Sequence, residues 1–217
     1  MAVIEIHSIF TGEPQTITDG RGEWRSAIFR TPVSGEVRVT SRGLEGDRVA
    51  DTKHHGTPDQ AICCHPLQHY AFWNEVYGLS GEDALGPGGV GENWTLGGVD
   101  EGGICVGDVY AAGMARVQVS GPRVPCWKQE RKLGLPGFHK RTLESLRTGF
   151  YARVLEEGTV RAGDKLSLED RPNPDITQRV INECAHGDFD PALAQSLLEV
   201  PELADGWKKI LRFRLSA

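Results

Sequence analysis

Ala115-Arg116-Val117-Gln118-Val119-Ser120-Gly121-Pro122-Arg123-Val124-Pro125-Cys126-Trp127-Lys128 carries two readings in one run of chain. Its first half alternates apolar Ala115, Val117 and Val119 with polar residues, the period of a strand with one face buried. Two prolines then remove backbone donors and fix the path of the chain, so Cys126 is held stiffly with Arg123 and Lys128 close by. Nearby cations favour a thiolate, the form that binds a soft metal or attacks a substrate. A small hydrophobe closing a strand fits the stretch as well, because free cysteine is among the most buried residue types.

Outward from this run the chain reads as strands between turns. Residues 104–110 form a hairpin partner for residues 115–120, and further strand-like runs lie at 3–10, 26–29, 36–40, 61–64, 149–155 and 159–168. Gly (27) and Pro (12) punctuate them, and Gly46-Asp47, Gly107-Asp108 and Gly163-Asp164 read as turns between barrel strands. Residues 11–22 read as a polar loop, and helices are expected to be few before the end: one from Pro66 through Tyr77 and a short one within 137–147. The fold class is mainly β (α+β).

Composition changes at Arg171-Pro172-Asn173-Pro174, where prolines stiffen a linker, so residues 1–171 are expected as a barrel domain and 175–217 as a three-helix unit. Asp175 is expected to cap the first helix, with Gln178 completing a capping box. Asp190-Pro191 begins the second, and Trp207, Ile210 and Leu211 share a face of the third. Three short helices bury little alone, so they should pack on the main domain or on a second copy of the chain as a homodimer.

A net charge of -6 and the lack of a Lys/Arg run with interleaved aromatics exclude a general nucleic-acid binder. The start lacks a basic segment followed by a long apolar one, and no run is long enough to span a membrane, so a cytoplasmic protein is expected. Five cysteines without C-x-x-C spacing indicate neither a disulfide framework nor a structural zinc site.

The densest polar cluster is Asp51-Thr52-Lys53-His54-His55-Gly56-Thr57-Pro58-Asp59-Gln60, preceded by Arg48, on what reads as loop. A solvated loop is the plain reading of any one residue there. Adjacent His54 and His55 make a poor metal pair because neighbouring side chains point apart. His69 reads equally as a hydrogen-bonded core histidine or as a pocket residue. The glycine-rich run at 86–95 could bring amides close to an anion, but it has neither the P-loop spacing nor a strand–G-x-G-x-x-G–helix context.

Gly43-Leu44-Glu45-Gly46-Asp47, His54-His55-Gly56 with Pro58-Asp59, Tyr70, Gly91-Glu92-Asn93, Gly107-Asp108, Ser120 with Pro122-Arg123 and Pro125-Cys126, and Gly149-Phe150-Tyr151 together resemble the MOSC domain. The branch it is most similar to is the YiiM proteins, a MOSC-type β-barrel followed by a small C-terminal three-helix unit. The resemblance implies a molybdenum cofactor (Mo-molybdopterin) with Cys126 as the protein's metal ligand. It matches Cys126, His55 and Arg123 to family residues, and for the cofactor's phosphate Arg48, Lys53, His55, Arg123 and the loop at Gly91 and Asn93 can provide cations or amides. It further implies reduction of N-hydroxylated small molecules, such as 6-hydroxylaminopurine, to amines, a detoxifying reaction.

In that reaction Cys126, His55 and Asp59 are the candidate catalytic residues, the last two as proton donors. With no NAD, flavin or iron–sulfur motif, electrons are expected from a separate reductase protein, and no pyridoxal phosphate site is expected. Thr57, Trp94 and Trp127 depart from the family's usual residues, which affects substrate range more than cofactor use. Two other classes fit the same cysteine: a sulfur carrier or sulfurtransferase working through a Cys126 persulfide, and a non-catalytic cofactor-binding protein.

Overall fold

The computed structural model describes residues 3–53 and 55–216. Thirteen strands are seen among them: β1 (Ile4–Thr11), β2 (Gln15–Asp19), β3 (Gly22–Ser26), β4 (Thr31–Pro32), β5 (Glu36–Thr40), β6 (Gly43–Leu44), β7 (Ile62–Pro66), β8 (Trp94–Gly97), β9 (Val109–Ala112), β10 (Ala115–Pro122), β11 (Phe150–Glu156), β12 (Gly158–Arg161) and β13 (Lys165–Asp170). Seven of them close a barrel in the order β1, β13, β9, β10, β11, β7, β8 and back to β1, with β4 appended to β1. Every pairing in the ring is antiparallel except β7 with β8.

Alternation decides what enters the barrel. In β5 Val37 and Val39 are buried while Glu36 and Arg38 are exposed, and in β10 Ala115, Val117 and Val119 point in. These side chains join Ile6, Ile9, Ile62, Trp94, Leu96, Ile104 and Phe150 in one apolar core. β5, β6 and β12 form a separate small sheet, and β2 and β3 pair only with each other.

The helices are α1 (His69–Tyr77), α2 (Trp127–Leu133), α3 (Phe138–Ser145), α4 (Gln178–His186), α5 (Pro191–Leu198) and α6 (Asp205–Ser216). None is long and apolar enough to cross a membrane. α1 and α3 share a cluster of Tyr70, Trp73, Val90 and Phe138. α4 to α6 bury Ile181, Leu197, Trp207 and Leu211 around Val106 of the barrel domain.

Several sequence expectations are corrected. Residues 15–26 form a hairpin rather than a loop, and α2 directly after Cys126 was not expected. Pro66 ends β7 instead of starting α1. α4 is capped by Thr177, whose hydroxyl accepts from the Val180 N–H at 3.2 Å, and not by Asp175. Asp190 does cap α5, accepting from Ala192 and Leu193 with Pro191 at the first turn.

The linker is tied down. Arg171 forks onto buried Asp108 with both bonds at 2.7 Å, and Asn173 bridges the Val106 carbonyl and Glu202.

Candidate functional site

Asp47 gathers the floor of the site. Its Oδ1 accepts from the Gly12 N–H at 2.9 Å and from Arg30 Nε at 2.7 Å, while Oδ2 accepts from Arg30 Nη2 and Asn93 Nδ2, both at 2.9 Å. Arg30 Nη1 continues to the Gly91 carbonyl at 2.5 Å, and Asn93 Oδ1 takes the Cys63 N–H at 3.0 Å. Five stretches far apart in sequence are thereby locked around one ion pair that is almost out of solvent. Gly91 sits where φ is +75°, and a Cβ there would lie 2.3 Å from Ile28 Cγ1, so no other residue lets the two loops approach this closely.

Above this floor lies a cavity of about 890 Å³, lined among others by Arg123, Cys126, Cys63, Tyr151, His55 and Arg30. Cys126 stands at the head of α2, half-buried, with its N–H donating to Gln129 Oε1 at 3.2 Å. The other four cysteines are buried. Among them Cys63 also lines the cavity, but burial pushes its thiol above the ordinary value, against the pull of Arg123 and Arg30. Burial likewise holds the Tyr151 phenol protonated, as a hydrogen-bond donor facing the cavity.

Arg123 is only 6 % exposed. Its Nη2 donates to the Val90 carbonyl at 3.0 Å, and its Nη1 has no partner. Burial works against its charge, but nearby Glu92 favours it, and a guanidinium keeps its proton at any working pH. Arg123 is thus a buried cation beside the cavity, with one N–H that no protein acceptor takes.

Of the residues singled out from sequence, Cys126, His55, Arg48, Gly91, Asn93 and Arg123 line this cavity. Arg48 lies at its rim, paired with Glu13 at 3.2 Å on the exposed surface. Asn93 faces the cavity, but both ends of its amide are committed to protein partners, so its part is to hold the floor. Lys53 and Asp59 do not line it. Asp59 instead pairs with Arg153 at 2.9 Å, and Lys53 is exposed on the loop. His54 lies outside the described residues. His69 is a core histidine bound to Glu101 at 2.8 Å.

Sequence reasoning passed over Arg30 and took Cys63 for a buried strand residue; Asp47 and Tyr151 entered only as part of the family resemblance, with no role in the site. The signal for Asp47 and Arg30 was weak, since one ion pair gives no local pattern.

Comparison with known proteins bears on these residues. The MOSC domain family matches residues 51–167, and the YiiM-like, 3-alpha helix domain family matches residues 181–217. The crystal structure of YiiM from Geobacillus stearothermophilus superposes with a TM-score of 0.82 at 34% identity, covering 98% of this chain and 99% of that one. Protein YiiM of Escherichia coli (strain K12) is 31% identical over 206 residues, 95% of this chain and 90% of its own length. A protein named "Reductase" from Gibberella moniliformis is 34% identical over 165 residues, 74% of this chain but 29% of that protein.

Proposed function

Because the chain belongs to the MOSC family and carries a YiiM-like three-helix domain behind its barrel, we propose that the cavity binds the molybdenum cofactor and reduces N-hydroxylated small molecules to amines. One observation carries this reading: the half-buried thiol of Cys126 and buried, cationic Arg123 line the same cavity, and Arg123 keeps one N–H that no protein group accepts. A thiolate is the protein ligand that suits a soft metal already held by sulfur. The cofactor's phosphate asks for a charged N–H, which Arg123 offers. The "Reductase" name of one relative supports the reaction class.

Reducing R–NHOH to R–NH2 takes two electrons and two protons and releases water. When bound, the cofactor supplies the two-electron chemistry. This chain's residues bind, orient and protonate. Cys126 offers sulfur, Arg123 and the rim cation Arg48 attract anionic groups, and the Tyr151 phenol donates a hydrogen bond into the cavity. His55 is the imidazole on the cavity wall for proton delivery, a role for which Asp59, bound to Arg153, is withdrawn. Electrons come from a separate reductase protein.

Metal analysis of protein made in a host that synthesises the cofactor tests the proposal, followed by assay of hydroxylamine reduction with an artificial electron donor. Bound molybdenum together with amine formation is expected. Molybdenum-free protein from that host, or a persulfide on Cys126 in its place, overturns it.

A further inference from the structure

The cysteine segment does not end its contacts inside the barrel. Trp207 of α6 is buried, and its Nε1–H donates to the Pro122 carbonyl at 2.7 Å. Gly121 lies so close beneath the indole that a Cβ would stand 2.7 Å from Trp207 Cδ1 and 3.4 Å from Leu203 Cδ1. The Ala204 N–H donates to the Ser120 carbonyl at 2.9 Å. Three consecutive residues of β10, immediately ahead of Arg123 and Cys126, are therefore gripped from the three-helix unit.

A second grip reaches the other wall. Arg153 donates to the Glu202 carbonyl at 2.8 Å and pairs with Asp59 at 2.9 Å, and the Ser120 hydroxyl donates to the Asp59 carbonyl at 2.5 Å. The loop that follows His55 and the strand that leads to Cys126 thus share one anchor on the helices.

We propose that the three-helix unit is a working part of the site, with Trp207 as a positioning residue that sets the Cys126 thiol through the Pro122 carbonyl. Pro122 and Pro125 have fixed φ, and the Arg123 N–H is itself held by the Gly149 carbonyl at 2.9 Å, so the turn to Cys126 has little freedom to absorb a shift at its start. A displacement of this turn therefore moves the sulfur within the cavity and changes how a reagent reaches it. A plain docking role would need only the apolar contacts of Trp207. The N–H aimed at the one carbonyl that precedes Arg123 is additional, and removing it leaves that carbonyl unpaired in a dry environment. The proposal rests on Cys126 being the working thiol of the cavity, as in the function above.

The test reads that thiol directly, in full-length protein free of bound molybdenum, where the sulfur is open to a reagent. Iodoacetamide alkylation of Cys126, followed by peptide mass mapping, is compared in the unaltered protein, Trp207→Phe and Leu197→Ala. Leu197 lies in the same helical core, so its truncation destabilises the unit without touching β10 through any of these bonds. Trp207→Phe is expected to change the alkylation rate by about fivefold, the size of one lost hydrogen bond. Leu197→Ala, with an equal or larger loss of melting temperature, should stay within about twofold.

Should Trp207→Phe not fold, Gly121→Ala presses on the same contact from the barrel side and is expected to move the rate as well. Rates in Trp207→Phe or Gly121→Ala equal to the unaltered protein, or an equal change in Leu197→Ala, overturn the proposal. A Trp207 effect in a protein that never binds molybdenum would retire the cofactor reading and leave this one standing.

Discussion

Asp47 holds more of the site than any residue that faces a ligand. Its side chain accepts four hydrogen bonds, two of them from Arg30, and both partners are almost out of solvent. Asp47→Asn would leave a buried guanidinium without its counter-charge, which costs about 3–5 kcal/mol, to be seen as a lower urea midpoint. The two cavity cysteines should separate cleanly. Cys126→Ala is expected to melt normally and lose bound molybdenum by elemental analysis. Cys63→Ala should keep the metal, because burial keeps that thiol protonated. The part of this legible in sequence was the local part: prolines, cations and a cysteine within a few positions. Asp47 was legible as a turn residue and as part of a family motif, but not as the centre of the floor, since Arg30 and Asn93 lie 17 and 46 positions away and no short pattern links them.

Elements were legible where a face is buried and obscure where none is. β5 and β10 show period two because one side enters the barrel, and α5 announces itself through Asp190-Pro191. In the β2–β3 hairpin only Trp24 and Ser26 are buried, too few inward positions to show a period in the sequence, so it reads as loop. α2 hid because prolines and a cysteine precede it, a setting that reads as the end of a strand and not the start of a helix.

What holds the hairpin is side-chain chemistry from α2. Arg131 forks onto Asp19 with both bonds at 2.6 Å, donates to the Gly22 carbonyl, and its guanidinium lies 5.1 Å from the Trp24 ring centre. Arg131→Ala should therefore speed amide hydrogen exchange across residues 15–26 while leaving the barrel strands protected. Unchanged exchange in the hairpin would show that its own backbone pairing is sufficient.

The whole molecule should be acid-sensitive in a defined window. Burial, with the charge of nearby His69, holds the His65 imidazole well below its ordinary value, and neither ring nitrogen has a partner. The unfolded chain takes up a proton at His65 below about pH 6.5 that the folded chain refuses, so this contribution to stability is complete above that pH and falls as pH drops. The slope is about 1.4 kcal/mol per pH unit for each such group. His186, lowered chiefly by burial, adds to the same window. Glu101 is held below its usual value despite burial, through His69 and the Gly149 N–H, and its stabilising share is lost only in more acidic solution. Urea midpoints measured from pH 8 down to 5 should fall, and His65→Leu should flatten part of that decline.

The barrel shuts where Ile4 pairs with Leu166 and Glu5 with Lys165. A ribosome must therefore deliver the first strand long before its neighbour exists, and β1 meanwhile has only β4 and β8 to cover it. Ring closure of this high contact order comes late and slowly, so the newborn chain passes through a stage with an open sheet edge that invites aggregation.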